Sequence, residues 1–176
     1  MRGFEHQPSD WTRIDVWVDD AGTTHQSVEF VVAGQPIQKG NIIKSKWGAY
    51  HDATKGIGEW VQMIQHSARA AMNNGFGRRA RFEGPLGQPL PIFNGAVLLE
   101  VTLVRERLKS MPKTKTPQHV KKPDLDKLVR GICDGLTGIV YNDDSQVVKI
   151  ISQKRYAQRE ERPGAHIKVS SDVVVE

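Results

Sequence analysis

Residues 121–148, KKPDLDKLVRGICDGLTGIVYNDDSQVV, set five aspartates (Asp124, Asp126, Asp134, Asp143 and Asp144) around one apolar helix face and one turn. Leu125, Leu128, Val129, Ile132 and Leu136 recur at helical spacing, which predicts a helix over about 124–136 with that face against a core. Asp126, Arg130 and Asp134 fall on the opposite side, spaced by four. Acids at this density repel one another unless a cation sits among them. Lys109, Lys113, Lys115, Lys121 and Lys122 lie just upstream, but a divalent ion does this better, because carboxylate oxygens are the preferred ligands of Mg²⁺. An acidic pocket beside a basic segment is the arrangement that hydrolysis of a nucleic-acid backbone needs.

Each acid also has a plainer reading. Asp124 follows Pro123 and precedes the apolar repeat, so it suits an N-cap. Two helical aspartates two residues apart would point apart. With Asp124 at a non-helical cap and Asp126 in the first turn their carboxylates can converge, where the helix dipole also favours negative charge. Capping and metal binding are compatible there. Asp143 and Asp144 equally suit a turn before a strand; of the two, Asp144 is expected to face the ion, and Asp143 to support it or serve a second ion. Asp134 lies two turns below Asp126, about 12 Å along the axis, and is expected to bond a neighbour instead.

Around this segment the chain reads as alternating elements. Residues 12–18 and 27–33 have strand alternation and flank the turn Asp19-Asp20-Ala21-Gly22, which suggests a hairpin. Residues 34–50 read as a loop or irregular strand. Ile57, Trp60, Val61, Ile64, Ala68, Ala71 and Met72 predict a helix over 54–73. The connection 75–95 holds five glycines and three prolines, a length that tends to be functional or mobile. Residues 96–104 form the clearest strand, 146–155 a further one and 166–175 the last. The stretch 105–122 is basic and proline-punctuated, with nothing evident to bury, and reads as a mobile loop that orders on a partner. The expected fold is α+β, a mixed sheet with two main helices packed on it. Residues 1–25 form an extension or hairpin strand, and 26–176 the main domain.

Charge supports a polyanionic partner. The chain has 176 residues and a net charge of +5. From Arg105 to Lys122 there are seven Lys or Arg and one acid, and Arg78, Arg79 and Arg81 form a second knot. Each cluster alone suits a solvated surface; beside an acidic metal candidate, phosphate contact is the better reading. With one cysteine, Cys133, there is no internal disulfide and no cysteine-based zinc site; its place at the edge of the apolar face suits a buried thiol better than a nucleophile. The six histidines show no ligand spacing, and read as surface or structural, with His119 a possible nucleic-acid contact. No apolar run spans a bilayer and the first residues hold no signal core, so a cytoplasmic location is expected. No nucleotide-binding loop or serine-hydrolase elbow occurs, so a nucleotide cofactor is not expected.

The run KPDLDKLVRGICDGLTGIVYNDDSQVV closely resembles the signature of the RusA-like Holliday junction resolvases, with a weaker echo at VEFVVAGQPIQKG (28–40). The resemblance implies a small homodimeric endonuclease that uses Mg²⁺, with Mn²⁺ able to substitute. Such an enzyme acts on branched double-stranded DNA in recombination and repair, in a bacterial or phage-infected cytosol. It implies that Asp124, Asp126 and Asp144 are the essential metal acids, that Asp134 and Asp143 support them, and that Arg130 is the basic catalytic residue. Two positions depart from the family: Lys127 stands where it has Asn, and Arg130 where it has Lys. Arginine cannot give up a proton near neutral pH, so Arg130 suits phosphate stabilisation rather than proton transfer, and Lys127, one turn from the cap, is placed to take over that part instead. The readings to be separated are a junction resolvase leaving 5′-phosphate ends, a nuclease of flaps or forks, and a junction-binding protein without activity.

Overall fold

The alternating segments Thr12–Val18 (β1) and Thr24–Ala33 (β2) form the expected antiparallel hairpin, Val18 opposite Thr24. Asp19 organises its turn: the carboxylate accepts the N–H of Ala21 at 2.9 Å and of Thr23 at 2.8 Å. Gly22 takes a φ of 81° there, a left-handed value that glycine adopts without a β-carbon clash. This is a computed structural model, and it describes residues 12–40, 42–44, 50–52, 54–73, 92–112, 115–158 and 160–171.

Within 34–50, where the sequence indicates only irregular backbone, β3 (Ile42–Lys44) pairs antiparallel with β4 (Tyr50–Asp52). Helix α1 spans Ile57–Met72, then follow β5 (Val97–Arg105), α2 (Leu125–Leu136), β6 (Val147–Tyr156) and β7 (Gly164–Ser170). Five strands form one sheet in the order β1-β2-β7-β5-β6. Every neighbouring pair is antiparallel except β5 and β6, which are parallel. The domain is therefore α+β, with a mixed sheet and two helices.

Both helices cover one face of the sheet. Phe30, Leu99, Leu103 and Ile167 from the strands meet Trp60 and Ile64 of α1 and Leu128, Ile132 and Leu136 of α2, all fully buried. The α1–α2 crossing is close because position 135 has no side chain. A β-carbon on Gly135 would stand 2.6 Å from Ile64 Cγ2 and 2.9 Å from its Cβ. Gly135→Val is thus expected to cost about 2 kcal/mol or more through overpacking, read as a lower urea midpoint at unchanged slope. Strand β6 ends the sheet, and its outer edge carries no partner strand among the described residues. None of the described helices is long and apolar enough to cross a membrane.

Candidate active site

Parallel strands cannot be joined by a tight turn; their connection must cross back over the sheet. Here α2 makes that crossing, so it runs opposite to β5 and β6. Its N-terminus lies at their C-terminal ends, the end of an α/β unit where sites usually form. Two contacts from distant residues hold that N-terminus. Lys154 Nζ, near the end of β6, donates to the carbonyls of Lys121 at 3.0 Å and Pro123 at 2.8 Å. Gln38 Oε1, in the loop after β2, accepts the Asp124 N–H at 3.4 Å.

Asp124 occupies the N-cap with extended dihedrals of −73° and 140°, but its carboxylate makes no capping bond. The position is that of a cap, and the side chain is not spent on one. Asp126 follows in the first turn, exposed. Neither carboxylate, nor that of exposed Asp144, hydrogen-bonds or pairs with a described residue.

The other two acids are spent. Asp143 caps the short 3₁₀ turn Asp144–Gln146: it accepts the Ser145 N–H at 2.9 Å, and Gln146 Oε1 takes the Asp143 N–H at 3.0 Å. The bonds from Ser145 hold the Asp143 carboxyl below its ordinary range. Gln146 Nε2 reaches on to the carbonyls of Phe93 at 3.0 Å and Gly95 at 2.8 Å. In the DDSQ run, then, the first Asp and the Gln build the turn, and the second Asp is left to solvent. Asp134 forms an ion pair with Lys39, whose own N–H bonds the Lys127 carbonyl at 3.1 Å.

The structure brings Asp124 and Asp126 to one end of α2 and sets Asp144 toward the other. Asp144 precedes β6, whereas Asp124 is tied to its far end through Lys154. From Val147 to Lys154 the strand covers about 23 Å. Among the described residues, no group of three or more His, Cys, Asp or Glu side chains is gathered within one chain.

Arg130 is exposed one turn beyond Asp126, on the acid side of the helix, and Lys127 is half-buried. Lys109, Lys115, Lys121 and Lys122 are exposed; Lys113, Arg78, Arg79 and Arg81 lie outside the described residues. The loop 105–122 has more internal structure than its composition suggests. The Arg107 guanidinium donates to Thr116 Oγ1 and to the carbonyls of Pro112 and Lys115.

His119 is not a surface contact. It is only 7% exposed and packs on Tyr156 with ring centroids 4.3 Å apart, so this stretch does have something to bury. Burial, with Lys154 and Arg105 nearby, lowers its pKa; burial and Arg155 lower that of His166. For a histidine whose folded pKa is depressed, the unfolded chain takes up the proton first. Stability is therefore complete above the unfolded pKa and falls as pH drops below about 6.5. A urea midpoint lower at pH 5.5 than at 7.5, with a smaller drop in His119→Phe, is the expected result.

Cys133 is buried, and burial raises its thiol pKa. Tyr141, whose hydroxyl is likewise pushed up by burial, donates to the Cys133 carbonyl at 3.3 Å. This residue is structural, as its position on the helix face suggests. Sequence reasoning missed Lys39, Gln38 and Lys154. The first two sit in the GQPIQKG segment, which carries the only signal that could have pointed to them; Lys154 lies in a strand with no distinguishing pattern.

Residues 84–170 match the family model described as Endodeoxyribonuclease RusA. That span holds β5, α2, β6 and β7, hence all five aspartates of 121–148. The chain is also similar to the uncharacterized protein YqaN of Bacillus subtilis (strain 168), 32% identical over 80 residues that cover 40% of this chain and 56% of the relative. It thus spans a little over half of that relative's length.

Proposed function

Since its residues 84–170 make this chain a member of the RusA endodeoxyribonuclease family, we propose that it is a Mg²⁺-dependent endonuclease that resolves four-way DNA junctions by paired nicks. The observation that carries this reading is the division among the acids. Asp134 and Asp143 are used by the fold, while Asp124, Asp126 and Asp144 are exposed and unspent. Three free carboxylates are an oxygen donor set suited to Mg²⁺. A bound ion would supply Lewis-acid activation of water and charge neutralisation at the phosphate.

The chain's own residues then do the positioning. Asp124 and Asp126 hold the ion at the start of α2. Arg130, one turn along, offers a fixed charged fork to the phosphate, and Lys127 a second cation beside it. Lys109, Lys113, Lys115, Lys121, Lys122 and the Arg78, Arg79 and Arg81 knot bind backbone phosphates, giving affinity without sequence reading. Products would carry 5′-phosphate and 3′-hydroxyl ends.

A second copy completes the site in this reading. Val148, Ile150 and Ile151 on the outermost strand are 56%, 47% and 51% exposed, an apolar edge of the kind that proteins normally cover or charge. Twofold pairing of β6 with its copy runs the strands antiparallel, so the start of one lies beside the end of the other. Asp144 would then approach the partner's Asp124 and the partner's Asp126. The dimer would carry two equivalent sites for two strands of one junction.

Lys154 is a positioning residue here, since it ties the turn before Asp124 to β6. Lys154→Met is expected to slow cleavage about tenfold and to raise the Mg²⁺ concentration needed, at unchanged junction affinity. The direct test of the whole reading is incubation with labelled synthetic four-way junctions in Mg²⁺ or EDTA. Symmetric, Mg²⁺-dependent nicks support it. Tight binding without cutting in Mg²⁺ or Mn²⁺ would favour a binding protein and point to Lys127 and Arg130. Cutting of flaps or forks in preference to junctions would move the substrate assignment.

A further inference from the structure

Beside the N-terminus of α2 lies an open cleft of about 380 Å³, lined by Gln35, Ile37, Gln38, Arg105, Lys122 and Pro123. Its hydrogen-bonding character follows from what is already spent. Gln35 Oε1 accepts the Glu106 N–H at 3.1 Å, and Gln38 Oε1 accepts the Asp124 N–H at 3.4 Å. A backbone N–H needs an acceptor, which fixes both carboxamides with their oxygens on the main chain. Their NH₂ groups are left without a partner among the described residues. Arg105 spends one nitrogen on the Pro36 carbonyl, while its Nε is buried with no partner. Lys122 adds an exposed ammonium.

The polar side chains of this cleft therefore offer mainly donors, each glutamine oxygen being already engaged by a backbone N–H, and no carboxylate lines it. Arginine and lysine cannot accept at all. A ligand that satisfies such a lining must itself accept bonds and carry negative charge. A nucleobase edge that both donates and accepts would leave its own donors unmet. Ile37 and Pro123 supply apolar walls that suit a sugar next to the anion. The Asp124 N–H, bonded by Gln38, puts the cleft immediately beside the acids.

We propose that this cleft binds a backbone phosphate of the substrate strand, adjacent to the phosphate that is cut. The proposal rests on the junction-nuclease reading and names within it a subsite that holds the strand in register. Arg105, Gln35 and Gln38 are its donors, and Lys122 guards its rim.

Glutamate at position 38 or 35 keeps an oxygen for the backbone N–H and replaces the free NH₂ by a carboxylate oxygen, so it repels an anion without removing the structural bond. Affinity is read by fluorescence anisotropy in EDTA on junctions carrying one uncharged methylphosphonate linkage, moved stepwise across the cut. The wild type is expected to lose about tenfold in affinity at one linkage beside the cut. Gln38→Glu and Gln35→Glu should bind the unmodified junction about tenfold weaker and lose nothing more at that linkage. Gln62→Glu, the same change on the exposed face of α1, should bind as the wild type does.

The proposal is overturned if both cleft variants, melting like the wild type, keep full affinity or show the same further loss at that linkage. It is overturned as well if Gln62→Glu binds as weakly as they do. A wild type that cuts junctions while the cleft variants behave in these ways sinks the subsite alone. A wild type that neither binds nor cuts any branched DNA sinks the nuclease reading, and the subsite with it.

Discussion

Asp126→Asn should lose cleavage of a four-way junction by more than about a hundredfold, while junction affinity in EDTA stays level or rises. The asparagine keeps the size and the helical position of the side chain and removes one negative oxygen. No hydrogen bond or ion pair within the described chain is lost, since the Asp126 carboxylate has none, and the small dipole stabilisation forgone is offset by less repulsion with Asp124, so the melting temperature should shift little. Affinity should not fall, because a carboxylate that faces a phosphate repels it until an ion lies between them. The contrast with Asp134→Asn is informative: that change breaks the pair with Lys39 and should touch stability as well as rate. Cleavage by Asp126→Asn at the wild-type rate would remove Asp126 from the catalytic set.

Mixing two inactive variants should restore activity. If Asp144 of one chain works with the partner's Asp126, then a mixed dimer of Asp126→Asn and Asp144→Asn has one site carrying both changes. Its other site carries neither. Refolding the two variants together should yield about half of the molecules as mixed dimers, each able to nick one strand but not to cut both. Either variant alone should remain silent. If the acids act within one chain, both sites of the mixed dimer are damaged and no nicking returns. The separation of Asp124 from Asp144 along β6 favours recovery, and the readout is a nicked rather than a resolved junction.

The layout of this molecule was legible wherever one residue's neighbours in sequence decide its fate. The face of α2 could be read from Leu125, Leu128, Val129, Ile132 and Leu136 because helical periodicity is local. The cap position of Asp124 followed from Pro123 before it and the apolar repeat after it. The contacts that organise the site were not legible, because they join residues far apart in the chain. Lys39 and Asp134 are 95 positions apart, Gln38 and Asp124 86, and Lys154 and Pro123 31. Nor does alternation in 97–105 and 147–156 reveal that these strands are parallel. That direction is what sends Asp144 to the opposite end from Asp124, and a pattern of apolar and polar residues carries no arrow. His119 misled for a related reason: a basic, proline-rich surrounding says nothing of Tyr156, which packs on it from a strand formed later in the chain.

The way the DDSQ turn is built has a consequence for how the protein is made and loaded. Metal-dependent small domains often cannot fold until the ion arrives, because their ligands are also their struts. Here the struts are Asp143, Gln146 and the Asp134–Lys39 pair, and the unspent acids brace nothing in the described chain. On the proposed metal site, shaping the backbone and recruiting the ion would thereby be separate tasks assigned to adjacent residues. On the nuclease reading proposed above, a chain so arranged would mature, pair and scan DNA in a metal-poor state, and be armed afterwards by a change in free cation alone.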